Sequence, residues 1–161
     1  NDGTPDSEQA NVVSFVNTET GKYLALEVDE ACSISSASTE AEADLNVQDS
    51  GFNYSAGLLN FTADCGTPGY ETSVKIYQYG LNKDGLTVRK HNPNTNAFFT
   101  VLDAELTETK ISEQIVTIAS LNITDGEDLD IDGEANGVIV DPVGLASSAV
   151  GAPNTGLGGG R

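Results

Sequence analysis

The chain holds no methionine, no tryptophan, one histidine, two cysteines and only seven lysines and arginines in 161 residues. Each shortage excludes some chemistry. With His91 as the sole imidazole, a multi-histidine metal site cannot be assembled, and a Ser-His-Asp triad or Cys-His dyad would hang on that one residue. The seven basic residues face 25 acidic ones, giving a formal net charge of −18 and a pI of about 4.1. Such a field repels phosphate backbones and anionic lipid headgroups, which disfavours nucleic acid and membrane surfaces as partners. No apolar run approaches the roughly 18 residues that a spanning helix needs, so no membrane insertion is expected.

What remains is a chain of one-domain size with three compositional zones. Residues 1–10 are polar and acidic and read as a flexible leader. Residues 11–141 carry short runs of Val, Ile, Leu, Tyr, Phe and Thr, separated by Gly, Asn, Asp, Pro and Ser. That is the pattern of strands and turns. Residues 142–161 are small and Gly-rich and read as a tether. Strands are expected at 11–16, 22–28, 44–48, 57–62, 72–79, 86–90, 97–102, 115–120 and 137–140. Asp84-Gly85 between two such runs predicts an antiparallel hairpin over Thr72–Lys90. A competing helical stripe of Leu106, Ile111, Ile115 and Ile118 predicts one short helix within Glu105–Ser120. The fold class is therefore mainly β, an antiparallel immunoglobulin-like sandwich or Greek-key barrel.

Cys32 and Cys65 lack metal or redox spacing, and a structural disulfide is the natural reading; the alternative is a pair of buried thiols in a reducing compartment. Closing a loop of that length stabilises by about 3–4 kcal/mol on the chain-entropy account. Asp128, Asp130, Asp132 and Gly133 match the first half of a calcium loop. The match then fails, because the twelfth position is Ile139 where a bidentate Glu belongs. An irregular Ca2+ site completed by Asp125 or Asp141 is one reading, and a solvated edge strand whose acids discourage pairing is the other. A catalytic carboxylate pair has no specific support, since 25 acids produce pairs by composition. His91 sits in the one basic patch, Arg89-Lys90-His91, and reads as a surface loop residue. Asn53, Asn60 and Asn122 are glycosylation acceptors by pattern alone.

Ala152-Pro153-Asn154-Thr155-Gly156 resembles the sortase recognition pentapeptide, with Ala in place of Leu. The resemblance implies cleavage between Thr155 and Gly156 and attachment to a wall or a neighbouring pilin through Pro153, Thr155 and Gly156. The hydrophobic span and basic tail of that family do not follow. The alternating segment Val12, Val13, Phe15, Val16 ahead of a Cys32–Cys65 pair resembles fimbrial subunits assembled by donor-strand exchange, in which such a segment completes a neighbour's sheet. In Gram-positive pilins and adhesins, strand lysines form intramolecular amide cross-links to Asn or Asp, which makes Lys22 and Lys75 candidates; an exposed strand face is the plainer reading of both.

These readings converge on a non-catalytic, extracellular or cell-surface structural protein, whose partners are copies of itself in a filament or the cell wall. The alternative is a calcium-dependent adhesion module for a glycan or protein, carried by Asp128, Asp130 and Asp132. A small secreted hydrolase is the third class.

Overall fold

The computed structural model describes residues 10–127 and 129–148. It is built from β1 (Val12–Asn17), β2 (Lys22–Val28), β3 (Ser33–Glu40), β4 (Phe52–Asn53), β5 (Leu58–Asp64), β6 (Glu71–Tyr79), β7 (Leu86–Asn92), β8 (Ala97–Thr100), β9 (Glu105–Ile111), β10 (Gln114–Thr124) and β11 (Val138–Ser148). Among the described residues no helix is long and apolar enough to cross a membrane.

Two antiparallel sheets face each other. One runs β1-β2-β6-β10-β9 and the other β3-β5-β11-β7-β8, with β4 paired to the end of β11. Alternation decides which side of each strand is buried. In β6, Thr72, Val74, Ile76 and Gln78 point inward while Glu71, Ser73 and Lys75 face solvent. Leu24, Leu26, Val28, Ala119, Leu121 and Ile123 extend the same inner face across the first sheet. Leu59, Phe61, Ala63, Val88, Ile139, Val143 and Leu145 answer from the second. The mainly β, sandwich-like expectation therefore holds.

Cys32 and Cys65 form the expected disulfide. They sit one position beyond the Ser33↔Asp64 pair, so the bond staples β3 directly to β5. A second, smaller apolar cluster lies on the outer face of the second sheet, where residues 41–57 fold back so that Tyr54 and Phe52 cover Leu58 and Ala146. Gly144 makes that cover fit, because a Cβ there would come within 2.6 Å of the Tyr54 ring.

Several expectations are overturned. The stretch Glu105–Ser120 holds no helix; β9 and β10 form a hairpin whose turn residues Ser112 and Glu113 both adopt positive φ. The helical spacing of its apolar residues is a coincidence of an exposed edge strand followed by an alternating one. Thr72–Lys90 is not a hairpin either. β6 and β7 belong to different sheets, and residues 80–85 cross between them, with Leu81 tucked against the core. Asp84-Gly85 does supply positive φ at Gly85, but six residues are too many for a two-residue turn. Residues 44–48 are not a strand; Glu42–Asp44 is a single 3-10 turn. The Ser- and Ala-rich β3 has low strand propensity and is held as an edge by β5, which is why the sequence does not announce it. Finally, β11 continues seven residues beyond Asp141, so residues 142–148 belong to the body and not to a tether. Pro142 is tolerated there because it pairs with β5 and lies just past the last β11–β7 pair, Val143↔Lys90.

Candidate functional site

β7 and β11 are neighbours, and their register sets Lys90 opposite Val143. Asp141 is two positions before Val143, hence on the same face and diagonal to Lys90 across the strand pair. That face is the inner one, shared with Val88, Ile139 and Leu145. A lysine and an aspartate therefore meet in the middle of the sandwich, both with fully buried side chains and with Nζ abutting Oδ1. Across the strand pair from Asp141, Phe61 of β5 holds the matching register position and is itself 2 % exposed.

The contact is not a hydrogen bond. Among the described residues, Lys90 Nζ and both carboxylate oxygens of Asp141 have no hydrogen-bond partner. Buried charges normally acquire full sets of such partners, since an unpaired ion in the interior costs several kcal/mol.

The loop between β10 and β11 brings a second acid to this place. Ile131 N–H donates to the Val140 carbonyl, laying the loop alongside the start of β11. Asp130 accepts Val140 N–H on Oδ1 at 3.0 Å and Gly126 N–H on Oδ2 at 2.9 Å. Burial, joined by the facing Asp125 and by Asp132, pushes its carboxyl up to about 6 against those two backbone donors. Asp125 moves the other way. Burial opposes its ionisation, but the N–H groups of Gly69 and Gly137, with Asp130 and the Asn136 backbone, hold it below the ordinary carboxylate range. The proton of this pair therefore resides on Asp130. Burial also pulls the Lys90 ammonium down to about 7, with the charge of Asp130 acting in the opposite sense.

The outer face of β7 carries a contrasting pair. Arg89 donates to Asp49 through Nε at 2.7 Å and through a terminal nitrogen at 2.9 Å, and to Thr100 Oγ1 at 2.9 Å. Tyr54 OH donates to the same Asp49 at 2.6 Å, and the guanidinium lies 4.0 Å above the Phe52 ring. Burial and the Asp49 carboxylate raise the Tyr54 phenol. His91, expected on a surface loop, is buried in β7 and stacked on Phe98 at 4.6 Å. Burial lowers its pKa despite the acids nearby, so the ring is neutral at neutral pH.

The other residues singled out by sequence fall as follows. Asp125, Asp130 and Asp132 come together with carboxylate oxygens within 4.8 Å of one another, while Asp128 lies outside the described residues. Their oxygens mainly close the loop itself: Asp132 accepts Glu134 N–H at 2.9 Å and the Asn136 side-chain amide at 3.3 Å, much as Asp125 and Asp130 accept backbone N–H groups. Val12, Val13, Phe15 and Val16 form β1, paired with β2 of their own chain at the edge of the first sheet; Val13 and Phe15 pack inward and Val16 is exposed. Lys22 and Lys75 are exposed. Asn53 and Asn122 are exposed, and Asn60 donates to Glu40 at 2.9 Å. Pro153, Thr155 and Gly156 lie outside the described residues, as do residues 1–9 of the expected leader.

Sequence reasoning missed the pairing of Lys90 with Asp141, naming the first only within a basic patch and the second only as an extra ligand of an irregular Ca2+ site. A signal was present, because Val88 and Lys90 share one parity of β7 while Ile139, Asp141, Val143 and Leu145 share one parity of β11. The Asp-Pro step and the neighbouring Arg89 and His91 disguised it as a boundary and a basic patch. Comparisons with protein families, with characterised proteins and with solved structures find no match for this chain.

Proposed function

We propose that this chain is a non-catalytic structural module of an extracellular surface, attached through the segment that follows β11. The observation that carries the reading is the place of β11. It is an internal strand, flanked by β5 over Val138–Gly144 and by β7 over Val143–Ser147, and it leads toward Pro153, Thr155 and Gly156. Tension entering along β11 runs parallel to the strand and perpendicular to its hydrogen bonds. Those bonds are then loaded together and not one after another, which suits a domain held by its end. The Cys32–Cys65 disulfide fits an oxidising compartment, and the charge of −18 fits a solvated surface that repels polyanions. β1 is the outermost strand of its sheet, with Val16 exposed beside Tyr23, and is the strand along which a second copy would add in a filament.

Immunogold labelling of intact native cells tests this reading. Gold along continuous filaments makes the chain a filament subunit, and gold spread over the envelope makes it a wall-attached module. Label confined to the cell interior overturns both.

A further inference from the structure

Lys90 and Asp141 present an unusual combination. An amine and a carboxyl abut, both are fully buried, and among the described residues neither is satisfied by any hydrogen bond. An ion pair kept for stability would recruit donors and acceptors, as Arg89 and Asp49 do one residue away on the same strand. We propose that Lys90 and Asp141 are joined by an intramolecular amide bond that forms in the folded chain, with Asp130 carrying the proton, and that this bond ties β7 to β11 inside the sandwich.

The step balances without any oxidant, reductant or co-reactant. The lone pair of the neutral Lys90 Nζ attacks Cγ of the protonated Asp141 carboxyl, and the C–N bond forms. Asp130, having given its own proton to the Asp141 carboxylate to make that carboxyl neutral, accepts a proton from Nζ and returns it to a carboxyl oxygen of Asp141. That C–O bond breaks and one water leaves, so –NH2 and HOOC– become –NH–CO–. The folded chain supplies what free amines and acids lack in water. Register and packing hold the reacting atoms together, which replaces a bimolecular encounter. Burial excludes the water that would solvate both charges and reverse the reaction. An amine drawn down to about 7 and an acid raised to about 6 also place a neutral nucleophile and a proton donor side by side near neutral pH. The other described lysines, Lys22, Lys75, Lys83 and Lys110, are exposed and have no such surroundings.

The experiment is intact-mass measurement of the full folded chain followed by tandem sequencing of its proteolytic peptides. Beyond the loss of about 2 Da for the disulfide, a further loss of about 18 Da is expected. It should map to a branched peptide joining the strand of Lys90 to that of Asp141. Lys90→Arg keeps a cation that forms no such amide and should show no loss of water. Asp141→Asn should still give the same branched product, now by loss of ammonia. Asp130→Asn, verified as folded by circular dichroism, should leave the cross-linked fraction reduced at least tenfold at early times. An unmodified mass in the folded chain overturns the proposal. A water lost instead in a linear peptide, as from an Asp-Gly step such as Asp84-Gly85, overturns it equally. None of these readings depends on where in or on the cell the chain resides, so this proposal and the surface-module reading stand or fall separately.

Discussion

Arg89 and Lys90 are consecutive on β7, and each meets one aspartate, yet the two pairs are built on opposite principles. Arg89 on the outer face is held by a fork of hydrogen bonds to Asp49, with Thr100, Tyr54 and Phe52 completing the surroundings. Lys90 on the inner face abuts Asp141 with no hydrogen bond on either side among the described residues. The outer pair shows what a stabilising buried ion pair requires, namely planar donors, a bidentate acceptor and neighbours that use the remaining lone pairs. The inner pair lacks all of this and is instead placed for the two groups to react. Opposite charge at close range is thus two different things, depending on whether the remaining polar atoms are satisfied.

The contrast can be broken from either side. The largest effect is expected for Lys90→Ala, which strands the buried Asp141 carboxylate and removes the amide; a loss of at least about 3–5 kcal/mol in denaturant melts is expected. A loss below about 1 kcal/mol would mean that Asp141 reaches water and that the inner site is not sealed. Next comes Cys32→Ser with Cys65→Ser, expected to cost about 3–4 kcal/mol in the same melts while leaving the Lys90–Asp141 mass signature intact. Asp49→Ala should cost about 2–3 kcal/mol, because Arg89 loses its fork but keeps Thr100 and some solvent. If it costs as much as Lys90→Ala, the distinction between the faces fails.

A pH series sharpens the inner site further. In the folded chain Asp130, facing Asp125 and Asp132 and acting on Lys90, keeps its proton up to about pH 6, whereas an unfolded carboxyl releases it near 3.8. The folded state therefore binds more protons across that window, and its stability falls as pH rises from about 4 to 6. Melting temperatures of the chain and of Asp130→Asn measured through this range should differ in slope, the variant lacking this falling contribution. The smallest effect is expected for Lys22→Ala and Lys75→Ala, which remove exposed side chains. Each should stay within about 0.5 kcal/mol and leave the mass signature unchanged.

Much of the strand inventory was legible in the residues. β2, β5, β6 and the first half of β7 follow from β-branched and aromatic runs between turn residues, and the disulfide follows from two cysteines without metal spacing. The failures share a physical cause, which is that sheets are non-local. β3 is a strand because β5 accepts its edge, whatever the propensity of Ser and Ala. The β9–β10 turn uses Ser112 and Glu113 at positive φ, where composition offers neither Asn nor Gly. Asp141-Pro142 breaks a strand in most contexts, yet here Pro142 falls where the β7 ladder has already ended.

By itself the sequence determined the class of the molecule: a small, highly acidic, mainly β chain with two cysteines outside any metal spacing and too little histidine for most catalytic sites. Charge, composition and period-two patterning are properties of single residues and near neighbours, and they survive without knowledge of the fold. Tertiary structure alone decided which strands became neighbours. Lys90 and Asp141 are 51 positions apart, and nothing local makes one the partner of the other. Only the register of β7 against β11, set by which faces the two sheets bury against each other, puts that amine and that carboxyl in contact inside the core.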